Sequence, residues 1–245
     1  DPKNNTTLND RKWSNNLTEV RSVCPHFGIM EQQSGANGWN TRMEAPAPKP
    51  GQMALWTMQS IAHGADYVSY FRWRTCNKGT EMYWHGILDY DNSDNRKLAE
   101  IKEINKRVKK LKPMTAAKYV ANFGVLKDYS NIWDAQLDNW HKRIDSASNI
   151  EIFIASQLNH TPVDYIYLQE DTVLEDLVKY PVLFYPHGLI LNQSKVDLLE
   201  AYVKEGGCLI LGCRTGQKDE TGQCPMTKMP GLASKLAGAS VEDFT

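Results

Sequence analysis

The chain has 245 residues, of which 41% are hydrophobic and 23% charged, and its formal net charge is −1. That composition suits one large or two small globular domains with a real core, and it excludes wholesale disorder. The near-neutral charge removes the electrostatic case for a nucleic-acid partner, and no apolar stretch nears the roughly 18 residues that span a bilayer. The five cysteines (Cys24, Cys76, Cys208, Cys213, Cys224) are odd in number and form no Cys-x-x-Cys pair. This argues against a disulfide framework and a zinc site and predicts free thiols in a reducing, cytoplasmic compartment. The chain opens Asp1-Pro2-Lys3 without Met or an apolar leader, which predicts a processed, excised or truncated polypeptide. Sequons at Asn4, Asn5, Asn16, Asn159 and Asn192 are short enough to arise by chance.

Residues 1–15 are polar and aperiodic and read as a loop, and 16–23 as a short helix capped by Asn16. The apolar run 27–30 predicts a buried strand ending at Glu31. Residues 35–51, rich in Gly, Pro and Asn, predict a long and therefore functional loop. A helix follows over 52–63 with Leu55, Met58, Gln59 and Ala62 on one face, then Gly64 as its stop and a strand over 67–71. Residues 97–112 form an amphipathic helix through Leu98, Ile101, Ile104, Val108 and Leu111, with Lys and Glu on the other face and Pro113 at its end. This is β–loop–α–β–loop–α, the pattern of parallel βα units, but two parallel strands make no self-sufficient sheet.

A second domain begins near residue 116, so the expected division is 1–115 and 116–245. Strands are predicted at 119–125, 163–168, 181–185 and 208–212. Helices are predicted at 139–159, anchored by Ile144, Ile150, Ile154 and Leu158, and at 194–205, capped by Ser194 and stopped by Gly206-Gly207. The fold class is α/β, and this part reads as a doubly wound parallel sheet.

Glu31, at the end of a parallel strand and followed by Gln32, Gln33 and Gly35, sits where α/β folds place their sites. The next strand delivers Arg72-Trp73-Arg74, and its loop offers Glu81, Tyr83, Trp84 and His85. Acids and aromatic rings converging on one strand-end face suit a carbohydrate, whose apolar ring faces stack while its hydroxyls hydrogen-bond. A solvated face over buried aromatics fits the same residues.

The order Ile29-Met30-Glu31-Gln32-Gln33-Ser34-Gly35, Trp39, Pro48-Lys49-Pro50-Gly51-Gln52-Met53-Ala54-Leu55-Trp56 and Ala62-His63-Gly64-Ala65-Asp66 resembles glycoside hydrolase family 42, the β-galactosidases. So do Val68-Ser69-Tyr70-Phe71-Arg72-Trp73-Arg74 and Glu81-Met82-Tyr83-Trp84-His85-Gly86-Ile87-Leu88-Asp89, which resemble the eighth barrel strand and its loop. The resemblance covers nearly the whole chain. It implies that 1–115 holds strands 7 and 8 of a (β/α)8 TIM barrel, and that 116–245 is a trimerisation domain of amidotransferase- or flavodoxin-like fold. It further implies a retaining β-galactosidase with Glu31 as nucleophile, and substrate contacts from Trp39, Phe71, Glu81, Trp84 and His85. A galactoside or galacto-oligosaccharide substrate, a homotrimer and no cofactor complete that picture. The family's general acid/base lies on an earlier strand, so this chain alone is expected to be inactive. Arg72 and Arg74 could keep a nucleophile ionised, or, sharing one side of a strand, form a barrel salt bridge.

An amidotransferase elbow, Gly-x-Cys-x-Gly, is absent: the strand ending at Tyr185 is followed by Pro186-His187-Gly188. Cys208 and Cys213 read as buried or incidental thiols. The stretch after Val125 (Leu126-Lys127-Asp128-Tyr129) is too bulky for a phosphate loop. His141, His160 and His187 show no ligand spacing, so no metal is expected. The alternative to a catalytic part is a non-catalytic oligomerisation module, with Trp133 and Trp140 as contact anchors or as core.

Overall fold

The computed structural model describes residues 10–39, 41–138 and 144–244. Trp140, His141 and the sequons at Asn4 and Asn5 lie outside them, as does the side chain of Ile144. The chain divides into two units, 1–119 and 120–245.

The first unit opens with α1 (Asp10–Val23), longer than the expected helix and with Asn16 inside it rather than capping it. Polar residues hide this helix in the sequence because they are buried through bonds of their own. Thr18 donates to the Ser14 carbonyl (3.0 Å), and the Gln59 amide donates to the Ser14 hydroxyl (2.7 Å). Strand β1 (Phe27–Gln33) continues past Glu31. The segment expected to be loop carries a short antiparallel pair, β2 (Asn37–Trp39) and β3 (Arg42–Ala45). Helix α2 (Gln52–Ala62) leads to β4 (Ala65–Phe71), which pairs parallel with β1.

Helix α2 buries Met53, Ala54, Thr57 and Ser60 rather than the expected face, and leaves Leu55 exposed. Its hydroxyls bond to carbonyls of their own helix, Thr57 to Met53 (2.8 Å) and Ser60 to Trp56 (2.9 Å). Small satisfied side chains can then face the core closely. Helix α3 (Arg96–Lys110) is capped by Asn95 and packs Leu98, Ile101 and Ile104 against Met53, Ala54 and Ile87. Its Glu100 carboxylate accepts from the Ala54 N–H (3.1 Å), so α3 serves the N-terminus of α2. Val108 stays exposed.

The second unit contains β5 (Phe123–Lys127), α4 (Tyr129–Leu137), α5 (Ile144–Leu158), β6 (Val163–Tyr167), α6 (Leu174–Leu177), β7 (Val182–Tyr185), α7 (Gln193–Lys204), β8 (Cys208–Leu211) and α8 (Ser234–Ala237). The four strands are parallel in the order β6-β5-β7-β8. The chain reverses direction beside β5, so the sheet is doubly wound with cores on both faces. Val125, Val163 and Tyr165 meet Phe153 of α5 on one face. Leu126, Leu183 and Tyr185 meet Leu199 and Tyr202 of α7 on the other.

Several details depart from expectation. Strand β5 starts at Phe123 rather than 119, because Tyr119 lies under the Arg21 guanidinium (3.5 Å to the ring centroid) in the first unit. Phe153, not Leu158, anchors α5. Asn192, not Ser194, caps α7: its side chain accepts the Lys195 N–H. Strand β8 ends the sheet, and Cys208 and Ile210 on it are exposed. Cys213 is exposed as well, so neither Cys208 nor Cys213 is a buried thiol.

Candidate active site

The pairing of β1 with β4 slips between Ile29 and Gln32. Ile29 faces Val68 and Gln32 faces Tyr70, so β1 spends one more residue than β4 over this step. The extra residue breaks the alternation, leaving Met30 and Glu31 both exposed between buried Ile29 and Gln32. A bulge of this kind re-aims side chains and is common beside sites. Glu31 makes no hydrogen bond or ion pair with another described residue.

Beyond β1 the chain is drawn tightly against the segment that follows β4. The Gln33 amide donates to the carbonyls of Gly35 (2.8 Å) and Pro46 (2.7 Å). The buried Ser34 hydroxyl lies 2.9 Å from the Phe71 carbonyl. A Cβ on Gly35 would stand 2.2 Å from the His85 carbonyl, so glycine is required by close approach. The His85 N–H closes the contact by donating to Ala36 (2.8 Å).

Five of the six predicted site residues gather here. Trp84 packs edge-on against both Trp39 (5.5 Å between centroids) and Phe71 (5.3 Å). Its indole N–H is buried without an acceptor among the described residues. Arg72 lies 4.8 Å from the Phe71 ring and pairs with Glu81 at 3.3 Å. Arg72 therefore serves Glu81 rather than Glu31, and Arg74 is exposed. His85 directs Nδ1 to Asp89 (3.3 Å). Glu31, the sixth, has no bond to this group; strand pairing alone places it, two residues before Gln33, which faces Phe71.

Two residues missed in the sequence complete the loop. Lys97, in the first turn of α3, donates to the Gly86 carbonyl (2.5 Å) and to Asp89 (3.1 Å). Burial raises the pKa of Asp89, but the hydrogen bonds and charges of Lys97 and His85 outweigh it and hold the carboxyl below its ordinary value. The His85-x-x-x-Asp89 spacing was the available signal, whereas Lys97 read as part of a solvated helix face.

The second unit has polar clusters of its own. Buried Asp128 pairs closely with Lys195 and accepts from the Tyr185 hydroxyl (3.4 Å). Burial and the Asp128 charge push that phenol well above its ordinary value. Lys218 bridges Asp134 (2.8 Å) and Asp138 (2.9 Å). Among the described residues no three His, Cys, Asp or Glu side chains group as a metal site. No described helix is long and apolar enough to cross a membrane.

The family model described as β-galactosidase matches residues 2–111, and that of the β-galactosidase trimerisation domain matches 121–245. The chain belongs to the family 42 β-galactosidases. Among curated β-galactosidases, BgaH of Haloferax lucentense is 31% identical over 216 residues, covering 88% of this chain and 31% of its own. BgaA of Clostridium cellulovorans is 29% identical over 221 residues, covering 89% of this chain and 33% of its own. The solved β-galactosidase of Halorubrum lacusprofundi superposes with a TM-score of 0.79 at 28% identity, covering 95% of this chain and 34% of that one. That of Marinomonas ef1 gives 0.70 at 26% identity, covering 91% and 34%. The chain thus spans about a third of the length of the β-galactosidases it matches. The fold class is the expected one: α/β, with two parallel βα units from the end of a (β/α)8 barrel, then a doubly wound parallel sheet.

Proposed function

We propose that this chain carries the nucleophile half of a retaining β-galactosidase site, with Glu31 as the nucleophile. The observation that carries the reading is Glu31, turned outward by the β1 bulge and free of hydrogen-bonding and ionic partners among the described residues, on the strand whose next turn is bound to the ring cluster. A retaining hydrolase sets two carboxylates about 5 Å apart across the scissile bond. Glu31 would attack the anomeric carbon as the leaving oxygen departs, forming a glycosyl-enzyme that water then opens. The carboxyl that protonates the leaving oxygen and later activates water is assigned to no residue of this chain, and the chain alone is expected to turn over no galactoside.

Trp39 supplies a stacking platform and Phe71 an apolar wall. Trp84, half-buried between these two rings, adds a further aromatic contact, the Glu81 carboxylate is an acceptor for a sugar hydroxyl, and His85 a further contact. The test is a 2-deoxy-2-fluoro-galactoside with an activated leaving group, applied to the complete enzyme containing this segment. Peptide mass spectrometry is expected to find the label on Glu31. Glu31→Gln should lower kcat by at least about a thousandfold. A label on another carboxylate, or a Glu31→Gln enzyme of full activity, would overturn the assignment.

The second unit is proposed to act as the assembly module of the same enzyme, forming a homotrimer. The supporting observation is an apolar face on α4, where Tyr129, Trp133 and Leu137 recur every fourth residue and are 43%, 61% and 84% exposed.

A further inference from the structure

We propose that Asp89 and Lys97 are positioning residues that fix the tautomer and direction of the His85 ring, so that Nε2 is presented as a hydrogen-bond acceptor. The inference rests on the reading that His85 contacts the sugar.

The ring is fixed from several sides. Its backbone N–H is bound to Ala36, and Gly35 leaves no room for its carbonyl to shift. Tyr90 packs edge-on against the imidazole (5.5 Å), and the Tyr90 hydroxyl donates to the Met82 carbonyl (2.6 Å). Nδ1 lies 3.3 Å from Asp89 Oδ1, while Nε2 has no partner among the described residues. An ionised carboxylate only accepts, so Nδ1 carries the proton and Nε2 of the neutral ring carries the lone pair.

Asp89 is itself held by a cation in an unusual place. Lys97 is 9% exposed and stands in the first turn of α3, where the helix dipole disfavours positive charge. A buried ammonium persists only when paired and hydrogen-bonded. Its two acceptors are Asp89 and the carbonyl of Gly86, the residue next to His85. Thr75, 3% exposed, ties the same stretch: its hydroxyl donates to Leu88 (2.9 Å) and accepts the Gly86 N–H (3.0 Å). Lys97 and Thr75 hold the segment 85–89 from outside, Asp89 within it engages Nδ1, and Nε2 is the imidazole nitrogen left open among the described residues.

The chain has six histidines, so ring-15N labelling with a His85→Gln reference assigns the His85 signals. In the complete enzyme, at about pH 9 and so above the ordinary histidine range, His85 is expected to be protonated at Nδ1 and unprotonated at Nε2. Asp89→Ala should return the ring toward the Nε2–H form that free imidazole side chains prefer. Asp89→Ala also leaves Lys97 buried and unpaired, so Asp89→Ala with Lys97→Met is the second variant; it removes both charges together. An unchanged tautomer in a folded variant would overturn the proposal.

In the complete enzyme, Asp89→Ala/Lys97→Met is expected to raise KM about tenfold with a smaller change in kcat. Adding His85→Ala to that background should cost little more, because both changes remove one interaction. Full additivity would overturn the proposal. A His85→Ala enzyme of normal KM would sink the sugar contact instead, and the tautomer measurement would still decide the positioning role.

Discussion

Two exposed or half-exposed carboxylates of the first unit are prepared for different work. Glu81 is engaged by Arg72, which also covers Phe71, so its position is set by a cation that shares the ring wall. Glu31 is set by backbone alone, through the bulge. Asp89 is the third case, and it makes a prediction about acid. Its folded pKa lies below the unfolded value because Lys97 and His85 favour the charged form over the opposing effect of burial. The stability it contributes is therefore present above the unfolded carboxyl pKa and is lost as pH falls through the folded one. Asp89→Asn should destabilise the first unit at pH 6, and the difference from the parent chain should shrink at pH 3, below the ordinary carboxylate range. Urea melts at the two pH values check this; a difference that grows toward acid would refute it.

Among the elements, α7 offers a direct comparison of two neighbouring caps. Asn192 has extended backbone geometry and accepts the Lys195 N–H (3.0 Å), while Ser194 only donates to the Asn192 side chain (2.9 Å). Asn192→Ala should cost about 1 kcal/mol, and Ser194→Ala less than about 0.5 kcal/mol, by denaturant melts. The reverse order would mean that the helix starts where the sequence suggested. Strands β1, β6 and β7 were legible as short runs rich in apolar and aromatic residues, and helix α3 because its apolar residues step by three and four. The first half of α1 and the buried face of α2 were not, because Ser14 is buried with its hydroxyl accepting from Gln59, and Thr57 and Ser60 with theirs bound to carbonyls of their own helix, which no hydrophobic pattern records. The β2–β3 pair is too short to show alternation inside a Pro- and Gly-rich stretch. At the candidate site, the ring cluster was suggested by composition, and individual roles came only from resemblance. The Lys97–Asp89–His85 chain stayed hidden because it joins a loop to the next helix, and Lys97 sits among other charged residues on an amphipathic pattern.

For the whole molecule, association is the property to which the exposed face of α4 speaks. Trp133 and Leu137 are far more exposed than core residues of their size, and Tyr129 stacks on Tyr167 (5.0 Å) beside them. Adjacent large apolar side chains on a surface mark an interaction face, and Trp is the residue type that most often dominates one. The match of residues 121–245 to a trimerisation-domain family makes a second copy of the chain the occupant to test. The chain is expected to run as a trimer by size-exclusion with light scattering. Trp133→Asp with Leu137→Asp should release monomers, because a carboxylate cannot be desolvated in an apolar contact without a partner. Both side chains point outward, so the second unit should keep its melting transition, and a loss of assembly with an unchanged melt separates contact from folding. Truncating Trp133 alone to Ala should weaken association by about 2 kcal/mol or more, roughly thirtyfold in each dissociation step. A trimer that survives the double Asp variant would place the subunit contact elsewhere on the chain, and α4 would then be an ordinary solvent-facing helix.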